Sequence, residues 1–201
     1  MQYDLETTET SLDLFGSAKS KLIDDKITKN KEKPFLLMLR ASTSAKNFLM
    51  SKSAKSITIF IGKGNNGEDG LCLAALLKIE NIKTHIIDLE YKDRSESHAY
   101  RLCIDLGVKV GRFNAKKIPR SDWYVDAVFG IGLNRDIQGD YLRAINFLQR
   151  TRSKKILSLD LPSGLDGSKG KIFNSTVKAT TTITFLTIKP GLFIDKACDY
   201  T

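Results

Sequence analysis

Two aspartates stand where a charged side chain is costly. Asp126 lies within the apolar run Trp123 to Phe129, and Asp160 closes the apolar run Lys155 to Leu161. A carboxylate among apolar neighbours calls for a cation or several donors, so Asp126 predicts a compensating partner, with a salt bridge to a nearby Lys or Arg as the plainer alternative. Asp160 is followed by Pro162, Ser163 and Gly164. A strand end leading into such a turn holds a carboxylate rigidly and suits general acid–base chemistry, although a capping or turn role fits the same residues. Asp166, further along that turn, reads as a turn residue.

A third polar cluster, Gly62-Lys63-Gly64-Asn65-Asn66-Gly67-Glu68-Asp69-Gly70, follows the β-branched run Ser56 to Ile61. Its glycines admit backbone N–H groups close to a ligand, and the helix expected next directs its positive end to the same place. This is a phosphate cradle in outline. It lacks the Gly-Lys-Ser/Thr ending of a P-loop and the three-glycine dinucleotide fingerprint, and Asn-Gly is also an ordinary turn signal. After Asp126, Gly130 and Gly132 free the backbone for ligand contact, and Asn134 and Arg135 offer donors suited to an amide or a phosphate.

The elements that must carry these clusters alternate. Two helical stretches broken at Pro34 are expected over 21–50, with Phe35 to Leu39 as buried anchors. Then come a strand at 56–61, a helix at 71–79, a strand at 83–89, a helix at 95–106 closing at Gly107 and a short strand at 108–113. Strands at 123–129, 155–161 and 181–185 follow, with a helix at 141–150 after the first of them. This order predicts an α/β fold, a Rossmann-like three-layer α/β/α sandwich with a mostly parallel central sheet. Ligands of such sheets sit beyond the carboxyl ends of the strands, so the three clusters should converge on one edge. Residues 1–20, rich in Thr, Glu and Ser, read as a polar arm ahead of one domain over 21–201.

Composition agrees with a globular chain: 41% of the 201 residues are hydrophobic and 27% charged. Apolar runs fall short of the roughly 20 residues that span a bilayer, and Met1 to Ser20 lacks the features of a secretory signal, which makes the cytoplasm the default compartment and gives no membrane role. Cys72, Cys103 and Cys198 are odd in number and widely spaced, so they read as reduced packing residues. The net charge of +9 favours phosphate-bearing partners, but the lysines are scattered and most of that charge reads as solvated surface. His85 and His98 lack nearby second ligands in sequence and read as structural or surface residues.

Taken together, the blocks Gly64-Asn65-Asn66-Gly67-x-Asp69-Gly70, Asp126 to Arg135, Asp160-x-Pro162-Ser163-Gly164-Leu165-Asp166, Thr184-Phe185 and Lys189-Pro190-Gly191-Leu192 resemble the NAD(P)HX epimerase family, whose fold is the domain called YjeF N-terminal. The resemblance implies an isomerase that interconverts the R and S epimers at C6 of hydrated NADH or NADPH. It implies substrate contacts from Asn65, Asn66, Gly67, Glu68, Asp69, Gly130, Ile131, Gly132, Leu133, Asn134, Arg135, Asp136 and Asp160, with Asp160 at the reacting end. It further implies one potassium ion per subunit held by Asn66, Asp126 and Ser163, a homodimer, and a separate NAD(P)HX dehydratase as functional partner, since no dehydratase domain follows here.

This chain departs from the pattern of the family. Glu68 stands where glycine is usual, bringing a charge toward a pyrophosphate unless it turns outward or pairs with a neighbour such as Lys63. Ile131 replaces a usual threonine, and Leu39 and Ser42 replace Glu and Gly of the leading helical segment. A non-catalytic, RNA-binding scaffold of the same fold is the alternative, favoured by the positive balance and Glu68 and disfavoured by the retained Asp126, Asp160 and Ser163.

Overall fold

The structure, a computed structural model, describes residues 14–28, 33–91, 93–151 and 155–201. In chain order the elements are α1 (Ser17–Thr28), α2 (Lys33–Ser51), β1 (Ser56–Ile61), α3 (Asn65–Ile79), β2 (Lys83–Asp88), α4 (His98–Asp105), β3 (Lys109–Arg112), β4 (Trp123–Ala127), α5 (Gly139–Arg150), β5 (Ile156–Leu159) and β6 (Thr181–Ile183), before two short 3-10 turns at Pro190–Leu192 and Asp195–Tyr200. All six strands pair in parallel in the order β3-β2-β1-β4-β5-β6. From β1 the chain winds outward to one edge, then returns to the other side of β1 to build β4, β5 and β6. The direction of winding reverses between β1 and β4, which opens a crevice above their carboxyl ends.

Side-chain alternation along the strands explains the two covering layers. Ile57, Ile59 and Ile61 of β1, Val125 and Ala127 of β4, and Leu157 and Leu159 of β5 pack against α2, α3 and α4 through Leu49, Leu71, Leu73 and Cys103. Residues of opposite parity, Phe60, Tyr124 and Ile156, meet Ala144, Ile145 and Leu148 of α5. Both faces of the central strands are therefore buried, as their near-continuous apolar runs predict.

Several boundaries differ from the expected ones for identifiable reasons. The helix expected over 71–79 starts at Asn65, inside the glycine-rich cluster. Two of its glycines serve helix packing: a Cβ on Gly67 would lie 2.1 Å from the Gly62 carbonyl oxygen, and one on Gly70 would lie 2.7 Å from Ala127 Cβ. The two helical stretches expected on either side of Pro34 are α1 and α2, and Pro34 itself lies in the first turn of α2, which tolerates a missing N–H. The helix expected over 95–106 is confined to His98–Asp105 because the Ser97 hydroxyl caps it, accepting the Tyr100 N–H at 3.1 Å. The strands expected at 123–129, 155–161 and 181–185 stop at Ala127, Leu159 and Ile183, where the chain leaves the ladder to form the loops of the site.

Of the polar arm read over 1–20, residues 1–13 lie outside the described residues. From Leu14 onward the segment is part of the fold: Leu14 forms a parallel bridge with Ile188, and α1 starts at Ser17.

Candidate active site

Above the switch point lies a cleft of about 1150 Å³, at the upper end of the usual range for small-molecule sites. Its floor comes from the β1–α3 loop, the segment after β4 and the tips of β5 and β6; α2 and the start of α4 wall it. Of the residues singled out in the sequence, it brings together Asn65, Asn66, Glu68, Asp69, Gly130, Ile131, Gly132, Leu133, Asn134, Arg135 and Asp160. Gly67 and Asp136 are outside the lining: Gly67 is packed against Gly62, and Asp136 is exposed beyond the rim. Asp126 and Ser163 lie buried beneath the lining. His98, read as structural or surface, is exposed and lines the wall.

Asp126 faces away from the α3 side of β4, next to Ser158 in the ladder. Its carboxylate is wholly buried and accepts from Ser158 Oγ at 2.9 Å, Ser163 N at 2.8 Å, Ser163 Oγ at 2.5 Å and Val128 N at 3.3 Å. Burial pushes this carboxyl above the usual carboxylate range, and the Ser163, Ser158 and Val128 donors pull it part of the way back. Its hydrogen-bond partners are all neutral O–H and N–H groups, in place of the Lys or Arg salt bridge that was one alternative. Ser163 Oγ also accepts the Phe129 N–H at 2.9 Å, which ties the β5 loop to the β4 loop.

Asn66 is 7% exposed, yet neither its Oδ1 nor its Nδ2 has a hydrogen-bond partner. Leaving both ends of a buried amide unpaired costs several kcal/mol, on the order of 1–3 per group, unless a ligand supplies the partners. Gly130 separates Asn66 from Asp160: a Cβ built on it would be 3.0 Å from Asp160 Oδ2 and 3.7 Å from Asn66 Cβ. The glycine keeps that gap open.

Asp160 has a φ of +67°, a left-handed backbone that aspartate adopts sparingly. Its Oδ1 is engaged by the ammonium group of Lys189, which is 2% exposed. In the sequence Lys189 stands only in a block that resembles the family, without a role at the site. The signal available was a lysine flanked by apolar residues ahead of a proline, which is weak alone.

Glu68 pairs with neighbours as expected, but with Ser97 and Arg94 and not with Lys63. Its carboxylate accepts from Ser97 Oγ at 2.5 Å and lies 3.6 Å from the Arg94 guanidinium. Arg94 in turn holds Asp88 at 2.7 Å and the Gly62 carbonyl at 2.8 Å. Reach decides this: Arg94 is fixed under the loop, whereas Lys63 is exposed.

Against known proteins, the family described as YjeF-related protein N-terminus matches residues 15–191. The chain belongs to this family. It is 34% identical over 190 residues, 91% of this chain and 87% of the relative, to the NAD(P)H-hydrate epimerase of Lentilactobacillus buchneri. It is 30% identical over 170 residues, 82% of this chain and 80% of the relative, to the protein of the same name from Limosilactobacillus reuteri. The bifunctional NAD(P)H-hydrate repair enzyme Nnr of Coxiella burnetii is 31% identical over 169 residues, covering 82% of this chain but 34% of that longer protein. The crystal structure of yeast ynu0 superposes with a TM-score of 0.80 at 20% identity, over 90% of this chain and 83% of that one, which bears on the fold alone.

Proposed function

We propose that this member of the YjeF N-terminal family is an NAD(P)H-hydrate epimerase, an isomerase acting at C6 of hydrated NADH or NADPH. The observation that carries the reading is the cleft at the switch point, where the Asp160 carboxylate and the unpartnered amide of Asn66 stand on either side of Gly130. Relatives at 30% identity or more carry the same name. Asn65, Asn66 and Asp69 and the segment from Gly130 to Arg135 embrace the substrate, with the α3 N-terminus turned toward its phosphates. Asp160 stands at the nicotinamide end. The hydroxyl leaves C6 as the ring nitrogen donates its electron pair, and water returns to the opposite face; Asp160 gives and recovers the proton.

The residues also fit a potassium ion. Asn66 Oδ1 lacks a partner, and with the oxygens of Asp126 and Ser163 it would make a set of the kind that hard cations prefer, the neutral donors on Asp126 giving way to the ion. Asn66, Asp126 and Ser163 would hold it. When bound, the ion supplies positive charge beside the buried carboxylate. Glu68, which weighed toward a scaffold, is held by the Ser97 hydroxyl and by an Arg94 guanidinium that it shares with Asp88.

The same reading makes the chain a cytoplasmic homodimer whose S epimer is consumed by an NAD(P)HX dehydratase. No helix among the described residues is long and apolar enough to cross a membrane. The test is purified R-NADHX incubated with the protein, with S-epimer formation followed through a coupled dehydratase. A rate well above the spontaneous one, lowered when choline replaces potassium and abolished in Asp160→Asn with the fold intact, is expected. A wild-type rate equal to the spontaneous one would remove the reading, and an active Asp160→Asn variant would remove Asp160 from the chemistry.

A further inference from the structure

Asp160 reaches the cleft through a left-handed backbone, which is strained and persists only where the surroundings over-determine it. Its N–H donates to the Ile183 carbonyl at 2.8 Å, continuing the ladder to β6 by one bond. Beyond β6 the chain turns back over the carboxylate. Oδ1 accepts the Phe185 N–H at 3.4 Å, lies 3.5 Å from Thr184 Oγ1 and is engaged by Lys189 Nζ. The same ammonium group donates to Thr184 Oγ1 at 3.0 Å and to the Phe185 carbonyl at 2.6 Å. A lysine has three N–H donors and no acceptor. Each of those donors has an oxygen here, so the buried charge is fully satisfied and the side chain is held fast.

The two oxygens of Asp160 are thereby given different tasks. Oδ1 is taken up by the Lys189 ammonium group, the Phe185 N–H and the Thr184 hydroxyl. Oδ2 faces Gly130, where a Cβ would come within 3.0 Å. Oδ2 is the oxygen turned toward the site.

We propose that Lys189 is the positioning residue of the epimerase site, holding Asp160 so that its working proton stays on Oδ2. The inference rests on the reading of Asp160 as the proton carrier. In the departing half, the C6–O bond breaks, the oxygen keeps the electron pair and takes the Oδ2 proton to leave as water, and the nitrogen lone pair closes a C6=N bond. In the returning half, a water oxygen bonds to C6 from the opposite face, the C=N electron pair goes back to nitrogen, and the water proton passes to Oδ2. No proton is gained or lost over the cycle. Lys189 takes no part in the transfers; it fixes where they start and end.

The test uses the full chain with R-NADHX, comparing wild type with Lys189→Met and Lys189→Gln. Lys189→Met is expected to lower kcat by about 100-fold, the loss typical of a misplaced catalytic group, with KM within about threefold because the substrate cleft is otherwise unchanged. Lys189→Gln, which keeps one N–H toward Asp160 but brings a carbonyl that can draw the proton away, should fall between. If Lys189→Met does not fold, as circular dichroism would show, the Gln variant carries the comparison. A folded variant with kcat within threefold of an active wild type overturns the positioning role and leaves the epimerase reading standing. Loss confined to KM overturns it as well. A wild type no faster than the spontaneous reaction overturns both.

Discussion

Glu68 projects from the first turn of α3, where a carboxylate is favoured by the helix dipole but opposed by any phosphate drawn to the same N–H groups. Ser97 and Arg94 divert it, and because Ser97 also caps α4, one carboxylate links the β1–α3 loop to the next helix. The side chain is about one-third exposed, so the bonds are partly screened. Glu68→Ala is expected to lower stability by about 1 kcal/mol in urea unfolding, mainly through the lost charged hydrogen bond. It should leave the epimerase rate within a few-fold of wild type, since Ser97 and Arg94 hold the carboxylate aside. A folded Glu68→Ala variant with the rate abolished would give Glu68 a direct role. Single residues differ in how legible they were. Asp126 and Asp160 stand out in a sequence because a charge at the end of an apolar strand is conspicuous by itself. Lys189 becomes significant only when β5 and β6 pair, since its carboxylate partner is 29 positions away and a lysine alone looks like surface.

Strands and helices of the core were legible because their patterns are local. The parallel runs Ser56 to Ile61 and Trp123 to Phe129 read as strands by their apolar density, and both lie on central strands. Boundaries were less so: the start of α3 was hidden by glycines that look like loop but are demanded by contact with Gly62 and with β1 and β4. The outer pair β2–β3 carries its own pH sensitivity. His85 of β2 lies opposite Lys109 in the register, and burial followed by the Lys83 and Lys109 charges holds its imidazole below the usual range near 6.5. In the unfolded chain the same imidazole takes up a proton first as pH falls. Stability from His85 is therefore present above about pH 6.5 and is lost as pH drops through the lower folded value. The melting temperature of the wild type should decline more than that of His85→Asn between pH 7.5 and 5.5, and parallel curves would show that the imidazole does not contribute.

At the scale of the molecule, the winding reversal between β1 and β4 is what lets residues from four strand ends face one cleft, and this too was foreseeable from strand and helix alternation. Closure of the two ends of the fold on each other was not foreseeable, because no pattern in the first twenty residues announces it. Leu14 bridges Ile188, the Phe15 N–H donates to the Ile188 carbonyl at 3.0 Å, and the buried Ser20 hydroxyl meets Thr187 Oγ1 at 2.7 Å. Ser20→Ala leaves the Thr187 hydroxyl without that partner and should lower both the melting temperature and kcat, the latter several-fold, whereas an unchanged kcat would uncouple this contact from the chemistry.

Ile188 adjoins Lys189, so the leading segment straps the loop whose lysine holds the Asp160 carboxylate. Turnover becomes a gauge of how intact the front of the chain is. A protease nick before Phe15, or a bulky tag abutting Leu14, would slow the enzyme while its sheet stayed whole, and purified batches with ragged beginnings would differ in specific activity for that reason.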